Sequence, residues 1–495
     1  MLSCMVLVVT TSVYTQSITY DESQFHLGFG RKMMKGDFND EVGVLSPWTA
    51  LNSSAGVLAR RLSHGHISQR NWLFACRLPT VAFTVLLGYG IFVWARQLFG
   101  VPAGLLSLLL YIFCPQVLAH GGLATTDMYS ACFIFFAVFF FVGLLKDPSF
   151  ARLVLSAVTT AAALVAKHSA LWLPLIFFAL FLCSPQRILL RRRTGLLVCA
   201  LLAYAAIVVA TINTAYVFNN TLLPLGSNLF YSHRLQELRS HAPGLLIPLP
   251  KAYVRSLDFG IFFNETCQGH GPVYLLGKLQ KCGWPYYFFV ALLFKLPLAV
   301  MPLLALGTVV FIRDQGVPVF DKMSVLLVPL VYMALLFPFF KNQVGVRNTL
   351  IILPFWYIII GYIACFRPLW SRCRGKVFVS VLLAWYVASS LSFYPHYLAY
   401  FNELIGKRTN MYKYLADSNV DWGQSEYYLK EYLAKHKGER VLVRPDGPVK
   451  GAVVVNINDL VGVTSDVQRY RWLRERYTPV GHIAYSYLIF DTRDQ

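Results

Sequence analysis

The stretch Thr19-Tyr20-Asp21-Glu22-Ser23-Gln24-Phe25-His26 opens the first hydrophilic segment of the chain, directly after an apolar run over residues 2–16. Two adjacent carboxylates and a histidine at the mouth of an apolar body are hard to explain by packing. Buried charge is costly unless it is paired or put to use. What kind of body this stretch opens onto decides the fold.

The chain has 495 residues, of which 56% are hydrophobic and 14% charged; a soluble domain carries about 25% charged residues. After 17–77, apolar segments recur at about 78–95, 101–118, 128–145, 150–166, 169–184 and 195–217, then at 285–311, 323–340, 349–366 and 377–393. With the first run these make about eleven transmembrane helices, each needing roughly 17–25 residues to cross the hydrocarbon. Residues 2–16 read as the first of them; a cleaved signal is the alternative, although no basic segment precedes the run and no clear small-residue cleavage site follows it.

The net charge of +20 raises nucleic acid as a partner, but no basic stripe with interleaved aromatics exists and that class is excluded. The cations fall between apolar runs, as topology signals do, and some excess meets lipid phosphates. Arg96, Lys146, Arg152, Arg187, Arg191, Arg192, Arg193, Arg313, Lys322, Arg367, Arg372, Arg374 and Lys376 lie in short basic loops that define the cytoplasmic side. The opposite side receives 17–77, the 218–284 loop and the tail after 394. The sequons at Asn52, Asn219 and Asn264 all fall there, which favours an endoplasmic-reticulum lumen, or a periplasm for a bacterial plasma-membrane protein.

The expected fold is therefore an all-α polytopic membrane protein with a small C-terminal lumenal α/β domain. Residues 1–394 form the membrane module and 395–495 the domain. Within 17–77, Leu51, Ala55, Leu58 and Leu62 share one helical face, which suits an interfacial helix. In the tail, 412–435 and 469–476 read as helices, and 441–443, 452–455 and 482–490 as strands. Among ten cysteines, Cys267 and Cys282 share one polar loop and are candidates for a disulfide in an oxidising compartment. No CxxC pattern exists, and His26 and His270 lack any paired spacing, so no metal site is assigned.

The informative residues are ionisable groups at the far ends of spans. Asp21 and Glu22 follow the first, Asp127 follows the third, Lys167 and His168 lie between two spans, and Lys341 and Arg347 between two others. Lys295 sits about ten residues inside an apolar run, where a lysine needs a partner. By the assigned topology nearly all converge on one face of the bilayer. Carboxylates beside cations suit a reaction on a lipid phosphate: the cations hold the phosphate, and Asp21 takes the acceptor's proton. Blander readings stand beside this one. Asp21-Glu22 is then a solvated helix edge, Asp127 a helix cap, Lys167 and His168 snorkelling side chains, and Arg347 an interfacial anchor.

The Asp21-Glu22 pair with Phe25-His26, followed by Gly36-Asp37-Phe38, resembles the first lumenal loop of the dolichyl-phosphate-mannose protein O-mannosyltransferases. It is also similar to that of the bacterial polyprenyl-phosphate-dependent transferases, including the aminoarabinose transferase. Further matches are Ala124-Thr125-Thr126-Asp127, Ala166-Lys167-His168-Ser169-Ala170, Gly283-Trp284-Pro285 running to Lys295-Leu296-Pro297, and Arg347-Asn348-Thr349-Leu350. The stretches Pro395–Glu403 and Asp417–Gln424 resemble a less-known branch of the same superfamily.

The resemblance implies a glycosyltransferase of the GT-C architecture that moves a sugar, mannose foremost, from a dolichyl or polyprenyl phosphate to a lumenal hydroxyl on a protein or glycolipid. It implies one inverting displacement with Asp21 as base, and Glu22 and Asp127 as further catalytic carboxylates. Arg347, Lys295, Lys167 and His168 would hold the donor phosphate, and Tyr20 and His26 the acceptor or sugar. A divalent metal and a dimer are left open. Two departures stand out: Leu45-Ser46-Pro47-Trp48 occupies the place of a His-Pro-Pro-Leu-like stretch, and the 218–284 loop has no room for a β-trefoil insert. The rival classes are a secondary transporter, which would show paired halves with broken helices, and a non-catalytic binder of lipid-linked sugar.

Overall fold

The computed structural model describes residues 1–38, 46–184, 194–269 and 271–493. The basic residues Arg187 and Arg191 to Arg193, together with Leu45 and His270, lie outside the described residues.

The body is helical. Helix α1 (Leu2–Thr15) is followed by α2 (Leu27–Met34), α3 (Pro47–Leu62), α4 (Gln69–Phe99), α5 (Val101–Ile112), α6 (Pro115–His120), α7 (Asp127–Lys146), α8 (Phe150–Ala166), α9 (Leu173–Cys183) and α10 (Thr194–Ala215). Each boundary has a local cause. The Ser68 hydroxyl accepts the Asn71 N–H to cap α4, and Ser149 does the same for α8. Gly100, at φ +93°, ends α4 in a conformation that disfavours a side chain. Aromatic rings knit the centre, with Trp94 edge-on to Phe135 at 5.2 Å and to Phe355 at 5.9 Å.

Helix α3 packs through its small residues. A Cβ on Gly56 would lie 2.3 Å from Cys76 Sγ, and one on Gly30 of α2 would lie 2.2 Å from the Thr49 carbonyl oxygen. Thr49, Asn52, Ser53 and Gly56 are buried, whereas Leu51, Leu58 and Leu62 are exposed. The predicted apolar face thus looks outward, as suits a helix lying against lipid.

Four described helices are long and apolar enough to cross a membrane: Gln69–Phe99, Asp127–Lys146, Thr194–Ala215 and Val319–Leu336. Counting the pair Tyr287–Lys295 and Val300–Arg313 as one broken span makes five. Of the about eleven spans expected, these are the ones that a single described helix, or one bent pair, is long and apolar enough to make by itself. Runs that read as continuous in the sequence are interrupted in the chain. The 285–311 run bends by 111° at Leu296–Ala299, where Pro297 cannot continue the preceding helix. The 169–184 run opens with a 3-10 turn, His168–Trp172, and the 349–366 run ends in one, Tyr362–Cys365. Leu2–Thr15, Val101–Ile112 and Phe150–Ala166 are apolar but short.

The tail carries a four-stranded sheet in the order Val441–Val443, Ala452–Asn456, Tyr487–Asp491, Gly481–Ile483, its first pair parallel and the others antiparallel. The helix expected over 412–435 begins only at Glu426; 3-10 turns at Arg408–Lys413 and Asp417–Asn419 precede it. Val453, Tyr470 and Phe490 join the same apolar cluster as the buried residues of α4, α5 and α7, so this sheet is seated on the helical body. Cys267 and Cys282 are joined in a disulfide that closes the hairpin Val273–Leu275/Lys278–Gln280.

Candidate active site

Asp21 and Glu22 are adjacent but face different partners. The Glu22 carboxylate is fully buried and takes both arms of Arg77, Nε at 2.9 Å and Nη2 at 2.7 Å. It also accepts the N–H groups of Thr19 and Ala124 at 2.9 and 2.8 Å. Arg77 spends its remaining donors on the carbonyls of Val13, Gln16 and Ser17. Burial opposes ionisation of Glu22, but Arg77 and the two N–H groups outweigh it and hold the carboxyl below its ordinary value. With both oxygens occupied, Glu22, expected as a further catalytic carboxylate, fastens the first loop to α4 and the turn before α7. Nothing in the sequence marked Arg77, which reads there as one more cation at the edge of an apolar run.

Asp21 turns toward a second cluster. Its Oδ2 lies 2.7 Å from Arg347 Nη1, and the same nitrogen lies 3.7 Å from Asp127 Oδ2. Lys167 Nζ donates to Asp127 Oδ1 at 2.7 Å and to Asn348 Oδ1 at 2.6 Å. Two carboxylates and two cations thus meet from four separate parts of the chain, and the group is neutral as it stands. Asp127 is almost wholly enclosed at 2% exposure, whereas Lys167 is 27% exposed and Asp21 and Arg347 lie between them at 16% and 12%. Burial works against the Asp21 carboxylate, but Arg347 and His26 more than offset this and keep it below the usual carboxylate range.

Trp422, from the tail, completes the wall. Its Nε1–H donates to Asp21 Oδ1 at 3.3 Å, and its ring lies under the Arg347 guanidinium at 4.3 Å. Asp417 stands nearby, and burial pushes its carboxyl up to about 6 against the pull of Arg347. His26 is buried beside Asp21, its Nδ1 without a hydrogen-bond partner among the described residues, and burial keeps its imidazole below the ordinary value.

The other expected residues stand apart from this cluster. Lys295 is fully buried, with Nζ donating to the Leu398 and Asn419 carbonyls at 2.8 and 2.6 Å over the Phe401 ring at 4.7 Å. Its hydrogen-bond partners are backbone oxygens that staple the bent helix pair to the tail, away from the Asp21–Arg347 cluster. His168 is turned away from Lys167 because Lys167 is extended, φ −161° and ψ 140°, which sends neighbouring side chains to opposite sides. It bonds Ser256 at 3.0 Å and meets Tyr253 edge-on. Asn52 is buried, its amide donating to the Cys76 carbonyl and to Thr80 Oγ1 while accepting from Tyr129; no glycan fits there. Tyr20 is 59% exposed and packs on Phe25. Asn219 and Asn264 are part-exposed. Among the described residues no group of three or more His, Cys, Asp or Glu is placed to hold a metal.

The fold and cluster define a helical protein of membrane type with a carboxylate-cation site where several helices begin. Residues 67–212 match the family model described as dolichyl-phosphate-mannose-protein mannosyltransferase, and this stretch contains Arg77, Asp127 and Lys167. The resemblance read from the motifs is thus present over that stretch. Among solved structures, ArnT from Cupriavidus metallidurans bound to undecaprenyl phosphate aligns with TM-score 0.47 at 12% identity, over 99% of this chain and 96% of that one. The archaeal oligosaccharyltransferase AglB from Archaeoglobus fulgidus, in complex with an inhibitory peptide and a dolichol-phosphate, aligns with TM-score 0.45 at 12% identity, over 89% of this chain and 58% of that one. No curated protein matches.

Proposed function

We propose that this chain is an integral-membrane glycosyltransferase that moves a sugar, mannose foremost, from a dolichyl or polyprenyl phosphate to a hydroxyl acceptor on the lumenal side of the endoplasmic reticulum. The observation that carries the reading is the Asp21–Arg347–Asp127–Lys167 cluster, two members of which, Asp127 and Lys167, lie in the stretch 67–212 that matches the mannosyltransferase family model.

In this reading Arg347 and Lys167 receive the donor phosphate. The arriving phosphate competes with Asp21 for Arg347, and a carboxylate relieved of its ion pair becomes a stronger base. Asp21 takes the acceptor hydroxyl's proton as that oxygen bonds the anomeric carbon. The bond from that carbon to the phosphate oxygen breaks, and its electron pair leaves with the lipid phosphate, whose charge the two cations stabilise. Asp127 holds both cations in place. A double displacement would want two carboxylates flanking the bond about 5 Å apart; Glu22 is committed to Arg77, and Asp127 is enclosed at 2% exposure and bonded to Lys167, which favours a single inverting step on Asp21.

The test is an assay of purified protein with dolichyl-phosphate mannose, dolichyl-phosphate glucose and their undecaprenyl counterparts, following release of the lipid phosphate. Turnover of at least one donor is expected. No turnover of any, with the protein folded, would remove the reading.

A further inference from the structure

Trp422 lies 401 positions from Asp21 in the sequence, yet its indole touches both the carboxylate and the guanidinium that faces it. We propose that Trp422 is a positioning residue for the transfer step, through which the C-terminal segment fixes the orientation of Asp21 and Arg347. This rests on the glycosyltransferase reading above.

The Asp21 carboxylate has one partner on each oxygen: Arg347 Nη1 on Oδ2 at 2.7 Å and, more loosely, the indole N–H on Oδ1 at 3.3 Å. A carboxylate gripped at both oxygens cannot rotate about its terminal bond, so the lone pairs left for an acceptor proton point in fixed directions. When a phosphate claims Arg347, the indole N–H is the grip that remains. The ring meanwhile offers its face to the guanidinium, a contact that fits the flat arginine head and not a lysine.

The indole can serve this way because its backbone is anchored. The Tyr20 N–H donates to the Trp422 carbonyl at 2.7 Å, and the Ser17 N–H donates to the Gln424 carbonyl at 3.0 Å. Ser17 Oγ donates to the Gly423 carbonyl at 2.9 Å. Gly423, at φ +92°, lets the loop turn against this segment. From the other side, Asn456 Nδ2 donates to Asp421 Oδ2 at 2.8 Å, and Asn458 Nδ2 to the Asp421 carbonyl at 3.0 Å. His120 abuts the ring edge-on at 6.0 Å. The segment from Ser17 to Tyr20 and the loop carrying Trp422 are therefore one unit, clamped between the Arg77 fastening and the end of the sheet.

The experiment compares Trp422→Phe, which keeps a ring under Arg347 but loses the N–H, with Trp422→Leu, which loses both. Turnover of dolichyl-phosphate mannose and dolichyl-phosphate glucose is followed as released dolichyl phosphate across pH, with Asp21→Asn and thermal stability measured in parallel. The charged and titratable groups facing Asp21 are Arg347, His26, Asp127 and Asp417, and all are unchanged in these variants. Loss of a hydrogen bond to a charged group predicts that Trp422→Phe lowers kcat about tenfold and leaves the donor KM within about twofold. It also moves the acidic limb of the pH profile upward, since the ionised form has lost a donor. Trp422→Leu raises the donor KM as well. If Trp422→Phe keeps the wild-type kcat and acidic limb, or loses activity only in step with stability while the limb stays put, the positioning role is overturned. If Asp21→Asn is inactive while Trp422→Phe behaves as wild type, only this inference fails. If Asp21→Asn turns over at the wild-type rate, the functional reading beneath it fails too.

Discussion

Arg347 Nη1 lies 2.7 Å from Asp21 Oδ2, although 326 positions separate the two residues. The pair closes the first loop onto the segment that precedes Leu353–Gly361, and it keeps the proposed base masked until something else claims the arginine. A masked base makes sense in a transferase, because it ties activation of the acceptor to arrival of the donor.

Replacing Arg347 by lysine keeps the charge but not the shape. A lysine cannot reach Asp21 and Asp127 together while lying flat on Trp422. The predicted result is a donor KM raised about 10- to 100-fold, the range of 1.4 to 2.8 kcal/mol of binding, with folding preserved. Michaelis analysis with the preferred lipid-linked sugar checks it; an unchanged KM would show that Arg347 does not hold the phosphate.

Glu22 and Arg77 should behave as a stability pair. Glu22→Gln leaves a buried arginine without its counter-charge, a change that costs about 3–5 kcal/mol in comparable sites, whereas Asp21→Asn leaves this fastening intact. Thermal unfolding in detergent separates them. The folded carboxyl of Glu22 lies below its unfolded value of about 4.3, so its contribution is fully present above that pH and is lost as pH falls through the folded value. The stability gap between wild type and Glu22→Gln should therefore be constant at neutral pH and close in acid. A gap that widens in acid would contradict the assignment.

Asn52 sits in a sequon but is packed against α4. Asn52→Asp is predicted to leave the glycosidase-sensitive mobility of the protein unchanged in a eukaryotic host. A lost mobility shift would mean that this helix is displaced during maturation.

Much of the cluster was legible before the structure, for a physical reason. Charge is so expensive beside apolar runs that Asp21, Asp127, Lys167 and Arg347 stand out of a chain with few acids, and the structure gathers all four. The same reasoning overreached at Lys295, where backbone carbonyls at a helix break satisfy the ammonium as well as an acid would. It also gave Glu22 a share in the chemistry beside Asp21, since the sequence does not show that Arg77 takes up its carboxylate. Trp422 carried no charge signal, and its value lies in an N–H and a ring face that only three-dimensional proximity reveals. Helix breaks were not legible where Pro297 and the 3-10 turns interrupt runs that composition alone reads as continuous.

The most direct test of the account is the activity of Asp21→Asn beside wild type, with dolichyl-phosphate binding measured on both. The account predicts that the variant still binds dolichyl phosphate within a few-fold of wild type while sugar transfer falls to background. Transfer by Asp21→Asn at the wild-type rate would contradict it.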